Sequence, residues 1–281
     1  MENYRHIKLL IKFVFKSAAA ALLLWPFFVF AYSTVTHEAL TKETIDFFNS
    51  NFSYPDFNEE EKTALEKGSI DEDDGSRAMH HFYDPIYNRG LIFPAEWQKS
   101  KDWAKDTLAQ ASYSFNFVSN PISSVSYGTV KGFFSSETDH SWDRAVYEYA
   151  WGDKKRGLES LGHVLHLIQD ASVPDHTRND PHPPYFDELL AQASPYEGWT
   201  KKFNKENIDI FSKLRNERPS ILSSLEDYFD NLALYSNGNF FSEDTISNTE
   251  YQSPEVYLTR DGFLFHQNYK TAFIEREKKL D

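Results

Sequence analysis

The run from Arg156 to His176, R-G-L-E-S-L-G-H-V-L-H-L-I-Q-D-A-S-V-P-D-H, constrains the fold more than any other part of the chain. Its apolar residues recur at the spacing of an amphipathic helix, which needs a partner to cover the apolar stripe. Proline is disfavoured inside a helix, so Pro174 predicts that this helix ends before it. The apolar stripe consists of Leu158, Leu161, Leu165 and Ile168.

Three polar residues at the end of the same run suggest a metal site. His166 and Asp170 are four residues apart, so on a helix their side chains share one face. His176 lies just beyond the predicted break. Two imidazoles and a carboxylate supply nitrogen and oxygen ligands of the kind that zinc prefers. On this run alone, a helix with two incidental histidines remains the alternative.

The remaining sequence also favours helices. The segment S-W-D-R-A-V-Y-E-Y-A-W has helical periodicity behind Ser141 as N-cap, and G-D-K-K-R joins it to the next helix, which predicts an antiparallel hairpin. Residues 204–235 are also helix-like, whereas strand patterns are weak. Since no segment is typical of a linker, we predict an all-α fold, a single multi-helix domain over residues 32–281.

The first 31 residues differ from the rest in having a basic start followed by the apolar stretch S-A-A-A-A-L-L-L-W-P-F-F-V-F-A. Val29 and Ala31 are small enough for the −3 and −1 positions of a cleavage site, which would make Tyr32 the mature N-terminus. We therefore predict a signal peptide at residues 1–31 and a secreted or periplasmic protein. An uncleaved anchor is the alternative, although the apolar run is short for a membrane span and contains Pro26.

Composition limits the chemistry and the partners. The 281-residue chain has no cysteine, so thiolate ligands, disulfides and cysteine nucleophiles are excluded. Its net charge is −14, and without residues 1–31 it has 25 basic and 42 acidic residues, a net charge of −17. Such a charge repels phosphate backbones, which makes nucleic acid an unexpected partner. A neutral or zwitterionic substrate is less affected.

Four other places supply candidate ligands. His37 follows closely on the predicted mature N-terminus, and an acidic cluster containing Asp73 precedes His81 in H-F-Y-D-P. The other two candidates are His182 in N-D-P-H and Glu197 in S-P-Y-E-G-W. Each is weak when taken singly, because acidic clusters are usually solvated loops.

Together and in this order, these segments resemble the zinc-dependent phospholipase C family, whose wider superfamily includes the S1/P1 nucleases. The resemblance covers the chain from Tyr32 to about Trp199 and implies an all-α domain of the phospholipase C/P1 nuclease type. The motifs that carry it are H-x3-D-x5-H at 166–176, G-x-x-D-x-D at 68–73 followed by H-F-Y-D-P at 81–85, and T-H at 36–37.

The resemblance implies three Zn²⁺ ions per chain. The first would be bound by Asp73, His81, His166 and Asp170. Asp170 would also bridge to the second, whose other ligands would be His37 and the α-amine and carbonyl of Tyr32. The third would be bound by His176, for which His182 and Glu197 are the best additional ligands, with Asp187 and Glu188 as alternatives closer in sequence.

The resemblance also implies a phosphodiesterase, most simply a monomeric phospholipase C that meets phospholipid at a membrane and hydrolyses the glycerol–phosphate bond with a zinc-activated water. Asp73 and Asp170 would be its catalytic carboxylates. An S1/P1-type single-strand nuclease is the alternative enzyme, for which Phe82 matches an aromatic that stacks on bases and is a candidate substrate-binding residue. A zinc-binding exported module without turnover is the alternative of another class.

Two further histidines are expected to have other roles. His163 shares the predicted helical face of His166 and Asp170, and we expect it to support the ligands rather than to join them. His140 comes just before the predicted N-cap Ser141, and we expect it to face solvent.

Overall fold

The computed structural model describes residues 34–92, 95–118, 137–181, 220–242, 249–254, 256–258 and 264–266, together with Ser194, Tyr196, Thr200 and Thr245. These residues are mainly helical, as predicted. The helices are α1 (Thr34–Asn51), α2 (Glu59–Asp71), a 3₁₀ turn (Gly75–His80), α3 (Ser100–Trp103), α4 (Thr107–Val118), α5 (Trp142–Trp151), α6 (Lys154–Asp170), α7 (Pro174–Thr177) and α8 (Leu225–Asn239). A short antiparallel ribbon of β1 (Val256–Leu258) and β2 (Leu264–His266) follows, with Val256 opposite His266.

Side-chain caps explain where several helices begin. Asn58 caps α2 in a capping box with Glu61, and Asp153 caps α6 by accepting hydrogen bonds from two backbone amides. Ser141 accepts from the Arg144 amide at 3.3 Å, which confirms it as the N-cap of α5.

Pro174 stands at the first turn of α7, where its missing amide hydrogen costs nothing. The break predicted there is confirmed, and His176 lies just beyond it, in the short helix α7.

Helix α6 is the centre of the fold. The short connection at Gly152–Asp153 turns α5 back against it, as the predicted hairpin requires. Leu158 joins Ile45, Ala64 and Leu65 in one core cluster. Leu167, nearer the other end, joins a second cluster with Trp103 and Phe229. One helix therefore connects two apolar cores contributed by the elements on either side.

The deepest face of α6 is partly polar. Leu161, Leu165 and Ile168 of the predicted stripe are only partly buried, whereas His166 and Asp170 have no exposed surface. Burying such groups costs free energy unless they are paired or bind a cation. The helical period alone could not show that this second face is the more buried one.

Two glycines bring α2 and α6 into backbone contact. A Cβ built on Gly162 would lie 2.3 Å from the Leu65 carbonyl oxygen, and one on Gly68 would lie 1.9 Å from the Glu159 carbonyl oxygen. Neither position has room for a larger residue unless the helices separate. This close approach places the end of α2, and the acidic residues after it, beside the polar face of α6.

One predicted helix is corrected by the structure. Residues 204–219 lie outside the described residues, but 220–223 are not helical and α8 begins at Leu225. Ser224 caps it in a capping box with Asp227, and the helix continues to Asn239, beyond the predicted end at 235. The N-cap Ser224 sets the start of α8. The helical pattern of the sequence across this position did not reveal that a helix begins there.

Candidate metal centre

Four side chains from two distant segments, residues 73–81 and 166–170, converge at the carboxyl end of α6. His81 Nδ1 lies 3.1 Å from Asp170 Oδ2, and His166 Nε2 lies 3.2 Å from the same oxygen. The two imidazole nitrogens are 3.3 Å apart. Asp73 Oδ1 is 3.8 Å from the first and 3.7 Å from the second. All four side chains are buried.

These separations fit a tetrahedral metal ion. Ligand atoms bound at about 2.0–2.1 Å around zinc lie about 3.3–3.4 Å from one another when the geometry is tetrahedral. The five measured separations, from 3.1 to 3.8 Å, bracket that value. His81, His166 and Asp170 form one group whose ligand atoms lie within 4.8 Å of one another, and His37, Asp73 and His166 form another. The residues present could therefore hold a metal ion.

The two carboxylate oxygens of Asp170 face different histidines. Oδ2 faces His81 and His166, whereas Oδ1 lies 3.3 Å from His37 Nε2. His37 comes from the first turns of α1, and its ring stacks on that of His166 with centroids 3.5 Å apart. Neither oxygen of this buried carboxylate has a hydrogen-bond partner among the described residues. A carboxylate divided in this way is suited to bridging two cations.

Each imidazole is oriented by a hydrogen bond from its other ring nitrogen. His166 Nδ1–H donates to the Ser69 carbonyl oxygen at 2.6 Å, and His81 Nε2–H donates to that of Glu72 at 3.2 Å. His37 Nδ1–H donates to the Gln169 side chain, Oε1, at 2.7 Å. Such contacts fix the tautomer, so the nitrogen turned toward Asp170 is the one with the lone pair.

The protonation states suit ligation. Burial favours the neutral acid, but the imidazoles of His166, His81, His176 and His37 hold the pKa of Asp170 well below its usual range. Burial holds the pKa of His81 well below its usual range, although Asp170 opposes this effect. Burial also lowers the pKa of His166, but Asp170 and the Ser69 carbonyl outweigh it, so the pKa is raised. A cation bound at His166 would compete with its protonation.

Glu72, directly before Asp73, anchors a buried network beside the centre. One of its carboxylate oxygens accepts from Arg77 Nε at 2.8 Å and from His163 Nδ1 at 2.6 Å. The other accepts from Trp103 Nε1 at 2.9 Å. Despite burial, Arg77 and His163 hold the pKa of Glu72 well below its usual range. His163 thus supports the segment that carries Asp73.

His140 does not face solvent as predicted. It is only partly exposed and stacks on His163 with ring centroids 3.9 Å apart. Its Nδ1 lies 3.3 Å from Ser160 Oγ. Burial and the neighbouring His163 lower the pKa of His140 to about 2. The prediction failed because the partner, His163, lies on α6, the second helix after His140, and is not adjacent in sequence.

His176 lies beside the centre but farther from Asp170. Its Nδ1 is 3.9 Å from Asp170 Oδ2 and donates to the His81 carbonyl oxygen at 3.2 Å. Phe82 lies flat against its ring, with centroids 4.3 Å apart, and has no exposed surface. In this structure Phe82 therefore orients an imidazole and has no face available to a substrate.

Several expected ligands lie outside the described residues. These are Tyr32 for the second zinc, and His182, Glu197, Asp187 and Glu188 for the third. The structure therefore brings together His37, Asp73, His81, His166, Asp170 and His176. Of the candidate ligands expected for a third ion, His176 is the one that lies among the described residues.

The sequence reasoning missed Glu72 and Gln169. Both directly precede a candidate ligand, at Asp73 and Asp170, and that adjacency was the only signal available. Glu72 was hidden within the acidic run D-E-D-D, which is typical of a solvated loop. Gln169 could be recognised only from its contact with His37, 132 positions away.

Comparison with known proteins does not assign the chain: it matches no family model, and no curated protein matches its sequence significantly. Among the described residues, no helix has both the length and the apolar character needed to cross a membrane.

Proposed function

We propose that this protein is an exported zinc-dependent phosphodiesterase, specifically a phospholipase C that hydrolyses the glycerol–phosphate bond of phospholipids. The observation that carries the proposal is the divided carboxylate of Asp170, with His81 and His166 near one oxygen and His37 near the other. The family resemblance of the motifs supplies the reaction type. Three zinc ions per chain are expected.

In the proposed hydrolysis, the two carboxylates and the histidines would have separate roles. Bound zinc supplies Lewis acidity, which lowers the pKa of a water and offsets the charge that develops on a phosphodiester. Asp73 lies farther from the imidazoles than Asp170 does, and it accepts the proton of the attacking water and orients it. Asp170 would stay ionised and could ligate with both oxygens, and the histidines would ligate through nitrogens that their hydrogen bonds orient.

Two observations favour lipid over nucleic acid as the substrate. The chain is strongly acidic, with a net charge of −14, so polyanions are not attracted from a distance. Phe82, the residue that matched a base-stacking aromatic of the nucleases, is buried against His176. We therefore propose a neutral or zwitterionic phospholipid as the substrate class.

A parallel assay tests this proposal. Purified mature protein, loaded with zinc, would be incubated separately with phosphatidylcholine, phosphatidylethanolamine and single-stranded DNA or RNA. Release of diacylglycerol supports the phospholipase. Release of nucleotides shows a nuclease, and zinc binding without either product shows a module that has no turnover; both outcomes would overturn the proposal.

The bridging carboxylate gives the sharpest single substitution. Asp170→Asn should lower the zinc content by at least one ion per chain and abolish turnover, because an amide is a far weaker ligand and cannot bridge two cations. Asp71→Asn is the matched control, since Asp71 lies nearby, is partly exposed and pairs with Lys67. Metal analysis by mass spectrometry and the lipid assay would measure both. Full activity of Asp170→Asn would refute the bridging role.

A further inference from the structure

His37 differs from the other imidazoles of the centre in what orients it. His81, His166 and His176 donate to main-chain carbonyl oxygens of Glu72, Ser69 and His81. His37 Nδ1–H instead donates to a side chain, Oε1 of Gln169, at 2.7 Å. It is therefore the one described imidazole at the centre whose orienting contact can be removed by a single substitution.

The amide of Gln169 is itself fixed. Its Nε2 donates to Thr41 Oγ1 at 3.2 Å, which leaves Oε1 as the atom facing His37. Thr41 lies one turn after His37 on α1 and has no exposed surface. The amide thus connects α1 to the end of α6 and presents an acceptor to Nδ1.

We infer that Gln169 is a positioning residue that sets the tautomer of His37 and thereby the zinc affinity on the Oδ1 side of Asp170. The inference rests on the proposed metal centre. With Gln169 present, the proton is held on Nδ1 and the lone pair of Nε2 is available to a metal. Without that acceptor, the proton moves to Nε2, which lies 3.3 Å from Asp170 Oδ1 and can donate to it. That internal hydrogen bond would compete with the metal for both groups.

The effect should be confined to one side of the centre. His81 and His166 keep their main-chain acceptors whatever stands at position 169, and both face the other oxygen, Oδ2. Loss of such an outer contact typically lowers metal affinity about tenfold to a hundredfold. We therefore expect one binding step to weaken and the tightest step to be unchanged.

Gln169→Leu and Gln169→Glu form a matched pair for the test. Leucine has a similar size but no acceptor, whereas the glutamate carboxylate still accepts from Nδ1. Zinc titrations against a competing chelator would give the affinity of each step, and circular dichroism would check that the variants fold. For Gln169→Leu we expect one step to weaken tenfold to a hundredfold, with wild-type affinity kept or exceeded for Gln169→Glu.

A second readout does not need metal. In the chelator-treated protein, the ¹⁵N shifts of the His37 ring report which nitrogen bears the proton. We expect an Nδ1–H ring in the wild type and in Gln169→Glu, and an Nε2–H ring in Gln169→Leu. Unchanged zinc affinities or an unchanged tautomer in Gln169→Leu would overturn the inference, even where the wild type binds zinc. Absence of zinc binding by the wild type itself would instead remove the proposed function on which the inference rests.

Discussion

The Glu72 carboxylate is the centre of a buried hydrogen-bond network beside the candidate metal centre. Glu72 accepts from Arg77, His163 and Trp103, and its main-chain oxygen accepts from His81. Because all of these groups are buried, each relies on the others for hydrogen bonding. The sequence could suggest that His163 supports the candidate ligands His166 and Asp170, since all three lie on one face of the predicted helix. It could not identify Glu72, whose partners are up to 91 positions away.

The lowered pKa of His140 predicts a pH-dependent stability. A histidine whose pKa in the folded state is below its unfolded value takes up its proton first in the unfolded chain. Its stabilising contribution is therefore complete above pH 6.5 and is lost as the pH falls through 6.5 toward about 2. His140→Phe keeps a ring against His163 but cannot be protonated. Between pH 7.5 and pH 5, the variant should lose less unfolding free energy than the wild type, by up to about 2 kcal/mol.

Urea unfolding of both proteins at the two pH values, with chelator present, would measure this difference. Equal losses in wild type and variant would show that His140 does not titrate on unfolding in this range. The comparison between pH values within each protein removes the effect of the substitution on packing alone.

At the level of elements, the hairpin of α5 and α6 could be predicted because its information is local. The cap at Ser141, the helical periods of α5 and α6 and the short connection between them all lie within residues 141–170, and the structure confirms them. The pairing of α2 with α6 could not be predicted, because it depends on two glycines, Gly68 and Gly162, whose sequence contexts do not point to each other. That pairing nevertheless places Asp73 and the Ser69 carbonyl against His166.

Gly162→Ala tests whether this backbone contact positions the metal centre. The added methyl group would meet the Leu65 carbonyl oxygen at 2.3 Å, so the helices must separate. We expect a loss of about 1–3 kcal/mol in unfolding free energy, as for other overpacked positions. Zinc affinity should fall as well, because Asp73 and the Ser69 carbonyl would move with α2.

Gly238→Ala is the matched control for this substitution. Gly238 lies in α8, and a Cβ built there meets nothing within 4 Å. Alanine is the better helix former, so this variant should be as stable as the wild type or more so, by up to about 1 kcal/mol. A Gly162→Ala variant with unaltered stability and zinc affinity would show that α2 can shift without affecting the centre.

At the scale of the molecule, the centre is assembled from segments near residues 37, 73–81 and 166–176, which meet only in the folded chain. The sequence singled out these residues as candidate ligands through the order and spacing of motifs that resemble those of a zinc-enzyme family, and the structure brings them together. Distances between them could not be obtained in that way, because they depend on the packing of α1 and α2 on α6. The expected ligands Tyr32, His182 and Glu197 lie outside the described residues and remain predictions.

The predicted cleavage before Tyr32 would connect export with metal loading. His37 is in the first turns of α1, so a chain beginning at Tyr32 has its α-amine close in sequence to this imidazole. An amine binds zinc only when it is free and unprotonated, and its usual pKa of about 8 allows this near neutral pH. A chain that keeps Ala31 before Tyr32 should therefore bind about one zinc fewer, as measured by mass spectrometry. Equal zinc content in the two chains would exclude the terminal amine as a ligand.

The main-chain acceptors that orient His81, His166 and His176 have a consequence for how this sequence can diverge. Every residue type offers the same carbonyl oxygen, so substitution at Ser69 or Glu72 does not by itself delete the acceptor. The orientation of these imidazoles can therefore be kept while the side chains at the acceptor positions change during evolution. Gln169 is where that tolerance ends, because there the acceptor belongs to a side chain.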